Sequence, residues 1–281
     1  MISTPEIRDE LGNTLDKTDI KIGKRYPGKV RDNYLLPDKR IMIATDRISC
    51  FDKVVGTVPF KGQVLTQIAS YWFDQTKDII GNHILEIPDP SVMVVKECKP
   101  VEVEVIVRGY LTGSLWREYE KGERRLYGLR LPEGMQKNGQ FPTPIITPTT
   151  KAKDGEHDAP ISKEEIIKQK LCTPEQWAAI EDAAYRLFAK GTELLNERNL
   201  ILVDTKYEFG YLGQKLVLMD EMHTPDSSRF WYANEYHERF REGKEQKAMD
   251  KEFVRQWLLD RGFKGDGTPP ELTEEVRIEA A

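Results

Sequence analysis

Apolar and polar residues alternate strictly along residues 101–108, where valine takes every second position. Successive side chains of a strand point to opposite faces, so this pattern predicts a strand with one buried valine face. Glu104 and Arg108 would project together from its other face. The strand therefore carries one acid and one base on a polar surface.

The same alternation recurs along residues 201–209, and a glycine-containing turn leads from there to a second apolar run at 215–220. The pattern predicts a hairpin that brings Glu208 and Asp220 to one surface, where carboxylates can hold a hard divalent cation. On alternation alone, a half-exposed hairpin with solvated charges is the simpler interpretation. The polar face of the first strand carries three charged residues: Asp204, Lys206 and Glu208.

Helical spacing predicts the remaining elements together with short apolar runs. The helices are predicted at 3–16, 62–79, 115–121, 163–171, 174–199, 234–242 and 250–261, and further strands at 20–36, 41–45 and 92–95. A strand-heavy first half and a mixed second half favour an α+β fold of antiparallel sheets in two lobes with flanking helices.

A basic hairpin is predicted at 20–36, with Tyr26–Gly28 as its turn. Its glycine-bearing turn, edged by basic side chains, can fold over phosphates, although a plain exposed hairpin explains the pattern as well. The basic residues are Lys24, Arg25, Lys29 and Arg31.

Asp46, Arg47 and Ser49 follow directly after the buried strand at 41–45. Polar groups at the end of a strand often face a crevice, so this cluster is either part of a site or a structural turn.

Ser114 is predicted as the N-cap of the helix at 115–121, with Arg108 and Arg229 as further phosphate-binding candidates. Free N–H groups at a helix start beside a serine and an arginine can cradle a phosphate, but plain capping also accounts for Ser114.

Residues 129–162 are rich in proline and glycine and longer than most connections. We predict either a functional lid or disorder. The segment carries charges of both signs, suited to a zwitterionic small molecule: Lys151, Lys153, Asp154, His157 and Asp158.

Composition narrows the class of protein. The net charge is −5, which argues against general nucleic-acid binding. No apolar run approaches the ~18 residues of a membrane span, and the amino terminus has no signal-peptide core. Three scattered cysteines do not have metal-ligand spacing. We expect a cytoplasmic protein whose residues support ATP-dependent chemistry on a phosphorylated metabolite.

Six motifs occur in the order typical of one family: 28–32 (GKVRD), 44–52 (ATDRISCFD), 103–115 (VEVIVRGYLTGSL), 147–162, 203–210 (VDTKYEFG) and 219–229 (MDE…PDSSR). In these motifs, from about residue 20 to 262, the chain resembles the phosphoribosylaminoimidazole-succinocarboxamide synthase (SAICAR synthetase) family, in its longer, monomeric form. Cys50 stands where the family often has alanine, and we interpret it as an apolar filler.

The resemblance implies a carbon–nitrogen ligase of purine biosynthesis that consumes ATP, L-aspartate and the carboxylated aminoimidazole ribotide. It implies an acyl-phosphate mechanism with Mg²⁺, and a SAICAR-synthase-like fold, related to ATP-grasp enzymes, with ATP between the lobes. We place an ATP-covering lobe at 1–100 and a substrate and metal lobe at 101–281.

Residue roles also follow from the resemblance. Glu208 and Asp220 would hold Mg²⁺, and Lys206, with Lys29, would act on the reacting phosphoryl group. ATP would be bound by Lys29, Arg31, Glu97, Lys99 and Val101. The ribotide and aspartate would contact Asp46, Arg47, Ser49, Glu104, Arg108, Ser114, Lys151, His157, Asp158 and Arg229.

Two other functions fit a chain with these motifs. One is a catalytically silent nucleotide-binding or regulatory protein, since a fold does not determine a function. The other is a kinase-like phosphoryl transferase. The intact set of Lys29, Lys206, Glu208 and Asp220 favours the enzyme.

Overall fold

A computed structural model describes residues 2–151, 158–249 and 251–281. These residues form two compact units. The first unit comprises residues 2–71, 83–97 and 251–281, and the second comprises residues 72–82 and the described residues of 98–249. None of the described helices is long and apolar enough to cross a bilayer.

Helices and strands alternate irregularly along the described residues. The helices are α1 Thr4–Asp9, α2 Lys61–Gln75, α3 Gly113–Glu120, α4 Lys163–Lys168, α5 Pro174–Asn196, α6 Ala233–Arg241, α7 Glu252–Asp260 and α8 Glu274–Ala280. The strands are β1 Lys24–Pro27, β2 Arg31–Leu35, β3 Lys39–Ala44, β4 Arg47–Cys50, β5 Lys53–Thr57, β6 Ile84–Asp89, β7 Val92–Lys96, β8 Lys99–Tyr110, β9 Arg125–Leu126, β10 Leu129–Arg130, β11 Gln140–Ile146, β12 Thr149–Thr150, β13 Leu200–Leu212, β14 Lys215–Met219 and β15 Ser228–Tyr232.

The first unit contains an antiparallel sheet in the order β1-β2-β3-β7-β6 and the two-stranded pair β4–β5. Its carboxyl-terminal helices pack on β4 and β5 through one apolar cluster, to which Cys50 contributes a buried thiol, as expected of an apolar filler. Residues 251–281 therefore belong to this unit, although we had placed them with 101–281. The division of chemistry between two lobes stays a prediction.

The second unit is built on a six-stranded antiparallel sheet around β13. One edge of β13 pairs with β8, and its other edge pairs with β15 in the first half and β14 in the second half. The predicted valine face of β8 is buried, and so is the predicted apolar face of β13. The α+β prediction is confirmed by this arrangement.

Several predicted boundaries are wrong, among them the following three. Helix α1 covers only Thr4–Asp9 of the predicted 3–16 and contains no buried residue, so no packing extends it. The turn of the basic hairpin lies after Pro27, because Tyr26 and Pro27 pair with Asn33 and Asp32. Thr112, and not Ser114, is the N-cap residue of α3.

The segment predicted to be irregular contains β11 and β12, both paired with β8. The β-branched residues between Ile145 and Thr150 favour strands there, but three prolines between positions 142 and 148 interrupt the pattern. Strand β15 was also missed, because its polar first residues follow a proline-containing loop.

Removing the N-cap side chain of α5 should lower the stability of the protein. Thr173 accepts a hydrogen bond from the Gln176 N–H at 3.2 Å, and α5 buries eight residues. We expect Thr173→Ala to lower the free energy of unfolding by about 1 kcal/mol in urea titrations. The control is Ser3→Ala, which removes a similar capping box from α1, a helix without buried residues. Equal losses in both variants would contradict the role assigned to the α5 cap.

Candidate active site

The charged face of β13 lies against β8 in a register that pairs polar residues directly. Asp204 lies opposite Arg108, and Glu208 lies opposite Glu104. Lys206 is between these two rows. Since residues four apart on a strand are separated by about 13 Å, the two rows form distinct ends of one surface.

The first end is an arginine pocket, formed by Arg108, Arg229 and Asp204 with the hydroxyl groups of Ser114 and Thr147. One oxygen of Asp204 accepts from Arg108 Nη1 at 3.3 Å and from Arg229 Nη1 at 2.6 Å. Arg108 also donates to Thr147 Oγ1 at 2.8 Å and to Ser114 Oγ at 3.4 Å. Two guanidinium groups thus share one carboxylate.

Burial affects the charge of the arginine pocket. Burial and the nearby Arg229 lower the pKa of the Arg108 guanidinium, although Asp204 opposes the change. Planar guanidinium groups and hydroxyls are the donors that bind phosphate best. The pocket is therefore suited to a phosphate monoester.

Gly113 allows Arg229 to lie where it does. Its φ angle is +60°, in the left-handed region, and a Cβ atom there would be 2.5 Å from Arg229 Nη2. Any larger residue would displace the guanidinium. The sequence analysis missed this glycine, and it also missed Thr147, which lies in the segment predicted to be irregular.

The second end is a lysine–carboxylate cluster, formed by Lys206, Lys151, Glu104 and Glu208. Lys206 Nζ lies 2.8 Å from Glu104 Oε1 and 2.6 Å from Glu208 Oε1. The second oxygen of Glu208 accepts from Lys151. Thr149, which the sequence analysis also missed, donates to Glu104 at 3.4 Å.

Both central groups of this cluster are held in their charged forms. Burial disfavours the charge on Lys206, but Glu208, Glu104 and Asp220 outweigh it and raise its pKa well above the ordinary value. Burial likewise disfavours the Glu208 anion, but Lys206 and Lys151 keep the pKa of that carboxyl well below its usual range. Lys206 is therefore a permanent cation at neutral pH.

Asp220 belongs to the same surface despite its position in the strand pattern. Glu208 pairs with Met219, so simple alternation would turn Asp220 to the opposite face. Its φ angle of +65° ends that alternation, and its charge acts on Lys206. Two carboxylates, completed by water and phosphate oxygens, form a donor set that suits Mg²⁺. Among the described residues, no group of three or more metal-ligating side chains occurs.

The predicted site residues of the first unit make mainly protein contacts. Asp46 accepts from the N–H groups of Leu15 and Gly62 at 2.7 and 2.9 Å. Arg47 is buried among backbone carbonyls, and Ser49 is half-buried on β4. Roles of these three residues in substrate binding stay predictions.

The predicted nucleotide residues are distributed over both units. Lys29 pairs with Asp52, and Arg40 donates to both oxygens of Glu97 at 3.0 and 2.7 Å. The other predicted nucleotide-binding residues lie on strands. Arg31 begins β2, and Lys99 and Val101 lie on β8.

Two further residues are predicted to bind aspartate. Asp158 is exposed, and His157 lies outside the described residues.

Fold and charged groups together describe an α+β protein suited to anionic small molecules, with two arginines at one end of a sheet face and lysines paired with carboxylates at the other. The SAICAR synthetase family model matches residues 24–271. The chain belongs to the SAICAR synthetase family, whose members are carbon–nitrogen ligases.

Individual relatives agree with this assignment. Phosphoribosylaminoimidazole-succinocarboxamide synthase of Bacteroides thetaiotaomicron is 52% identical over 93% of this chain and 86% of its own length. A putative second synthase of that name from Agrobacterium fabrum is 50% identical over 91% and 83%. The structure of the Saccharomyces cerevisiae SAICAR synthase complexed with SAICAR has a TM-score of 0.83 at 30% identity, covering 95% of this chain and 94% of that one.

The contact between Gly113 and Arg229 can be tested by unfolding. We expect Gly113→Ala to cost about 2–4 kcal/mol, because strain at a positive φ angle adds to the clash with the guanidinium. Gly134→Ala is the control, since its φ angle is +73° and nothing lies within 4 Å of its Cβ position. The control should lose only about 1–2 kcal/mol. Equal losses in urea unfolding would show that Arg229 moves aside freely.

Proposed function

We propose that this chain joins L-aspartate to the carboxylate of 5-amino-1-(5-phosphoribosyl)imidazole-4-carboxylate, with conversion of ATP to ADP and phosphate. The product is SAICAR, an intermediate of purine biosynthesis. The observation that carries the proposal is one charged face of β13 with a phosphate-type pocket at one end and the lysine–carboxylate cluster at the other. The family assignment supports the same reaction.

The arginine pocket would bind the ribotide phosphate. Its two guanidinium groups are suitable donors for a phosphate group, and Ser114, whose hydroxyl oxygen accepts from Arg108, can donate its proton as well. With the phosphate bound there, the imidazole end of the ribotide would extend along β13 towards Lys206, which is two residues, or about 7 Å, from Asp204 along the strand. One sheet face thus orients the substrate from both ends.

The reaction needs an activated carboxylate, because a carboxylate oxygen is a poor leaving group. The γ-phosphoryl group of ATP passes to that oxygen and ADP leaves; the aspartate amine then attacks the acyl carbon and phosphate leaves. The neighbouring acids raise the pKa of Lys206, so its ammonium group is charged at neutral pH. Its role would be to stabilise developing negative charge.

Glu208 and Asp220 would hold Mg²⁺, which supplies further neutralisation of the phosphates when bound. Lys151, now paired with Glu208, is close enough to the cluster to contact the incoming aspartate or phosphate. Asp158 and His157 would assist with aspartate.

Nucleotide binding would use residues of two segments. The turn carrying Lys29 and Arg31 would cover the phosphates, and residues 97–101, including Glu97, Lys99 and Val101, would meet the adenine mainly through backbone groups. We further propose that the protein is a cytoplasmic monomer, as the resemblance to the longer form of the family suggests. Size-exclusion chromatography with light scattering tests whether the protein is a monomer.

The reaction is tested by measuring ADP release and amide formation with and without aspartate. We expect ADP release to require ATP, the carboxylated ribotide and aspartate together. Full-rate ADP release without aspartate and without amide product would instead identify a kinase-like activity. Nucleotide binding with no turnover under any of these conditions would identify a silent binding protein.

The metal assignment predicts a change in Mg²⁺ dependence. Glu208→Gln removes a ligand charge, so the half-saturating Mg²⁺ concentration should rise about ten- to hundredfold. A titration with Mn²⁺, monitored by electron paramagnetic resonance, should show the same weakening of metal binding in the absence of turnover. Glu102→Gln is the matched control, because Glu102 lies two residues before Glu104 on β8 and is exposed. An unchanged Mg²⁺ dependence in Glu208→Gln would refute the ligand role.

A further inference from the structure

Arg47 is held almost entirely by backbone carbonyl groups. Its Nε donates to the carbonyl of Lys29 at 3.0 Å, its Nη2 donates to the carbonyl of Gly28 at 3.0 Å, and its Nη1 donates to the carbonyl of Asp16. Nη2 also contacts Asp32 Oδ1 at 3.0 Å. A guanidinium group carries five N–H donors, so four hydrogen bonds to protein use most of its capacity.

These contacts belong to a larger clamp on the turn between β1 and β2. Three consecutive carbonyls of this turn are held by one segment: Gly28 and Lys29 by Arg47, and Val30 by Thr45. Thr45 donates to the Val30 carbonyl through its N–H at 2.9 Å and through its hydroxyl at 2.8 Å. No part of the turn's carbonyl side is left to solvent alone.

Peptide planarity determines the direction of the N–H groups on the other side of the turn. The C=O of one residue and the N–H of the next point in opposite directions across a trans peptide. Since the carbonyls of Gly28 and Lys29 face Arg47, the N–H groups of Lys29 and Val30 face away from it. Adjacent N–H groups on one side of a turn form a concavity that attracts anions.

Asp32 fixes the guanidinium in turn. It is fully buried and accepts from Arg47, from Arg25 at 3.1 Å, and from both the N–H and the hydroxyl of Thr18 at 2.7 and 2.8 Å. Although burial opposes its charge, these donors lower the pKa of Asp32, which therefore stays ionised. The guanidinium group of Arg47 is thus oriented by a carboxylate that accepts three other hydrogen bonds.

We propose that Arg47 is a positioning residue, which sets the backbone of the Gly28–Val30 turn in a phosphate-binding shape before the nucleotide arrives and does not itself contact the ribotide. The inference rests on the proposed function, in which this turn covers the ATP phosphates. It replaces the substrate-binding role that the sequence suggested for Arg47. The clamp makes the turn part of the folded framework, so nucleotide binding does not have to order it.

The test separates the two substrates kinetically. Lysine keeps the charge of Arg47 but not the planar fork that reaches several carbonyls. We expect Arg47→Lys to raise the KM for ATP about ten- to hundredfold and to leave the KM for the carboxylated ribotide within about twofold. The Kd of a non-hydrolysable ATP analogue, measured by calorimetry, should rise by the same factor. A raised ribotide KM with unchanged ATP binding would overturn the proposal.

A second variant tests the clamp if Arg47→Lys folds poorly. Thr45→Val removes only the hydroxyl contact to Val30, whose carbonyl keeps its backbone partner. It should raise the KM for ATP about two- to fivefold, again with no change for the ribotide. An unchanged KM for ATP in Thr45→Val, in a protein that folds normally, would also count against the clamp.

Arg277→Lys is the matched control for a merely structural arginine of the same unit. Arg277 donates to the carbonyls of Thr57 and Leu11 at 2.8 and 2.7 Å, and both carbonyls lie outside the turn between β1 and β2. It should lower the Tm without changing the KM for ATP. An equal rise in ATP KM in Arg277→Lys would reduce the effect of Arg47 to general destabilisation.

Failure of this inference is distinguishable from failure of the proposed function. If the unmodified protein forms no amide from the three substrates, the function is wrong. If it forms the amide and Arg47→Lys leaves ATP binding unchanged, only the role of Arg47 is wrong.

Discussion

The pairing of β8 with β13 is the constraint on which the site depends. Its register places Asp204 opposite Arg108 and Glu208 opposite Glu104. Both strands alternate with a period of two, so a slip by one residue would turn the valine face of β8 to solvent and the charges into the core. Hydrophobic burial on one face therefore determines the charge geometry on the other. The site is positioned by the core beneath it.

Charge compensation on this face differs from one end to the other. Around Lys206, two lysines and two glutamates balance each other, with Asp220 as an additional acid. A divalent cation would suit these carboxylates. In the arginine pocket, two guanidinium groups contact one aspartate, and they would suit an anion. The carboxylates at one end and the guanidinium groups at the other thus have the sign opposite to that of the ligand that the proposed reaction brings there.

Much of the second unit could be predicted from alternation, because one face of β8 is strictly apolar and one face of β13 is apolar except for Thr205. The strands within 129–162 could not, since their sequences carry prolines, and β15 could not, since it begins with polar residues. The pairing of these strands depends on partners distant in the chain. The segment at 3–16 has a helical pattern but no core to pack on. Family motifs located the candidate site residues, but they could not distinguish a ligand contact from a contact within the protein.

That distinction lies in what each arginine donates to. Arg47 faces three backbone carbonyls and one carboxylate that is itself satisfied by other donors. Arg108 and Arg229 donate instead to side chains, and both contact Asp204. Sharing a carboxylate does not separate the two cases, because Arg47 and Arg25 likewise share Asp32. The difference lies in the backbone, since a guanidinium group that holds consecutive carbonyls of one turn fixes the conformation of that turn. By this criterion, motif arginines that look alike in sequence divide into Arg47, which holds the Gly28–Val30 turn, and the pair that we propose binds the phosphate.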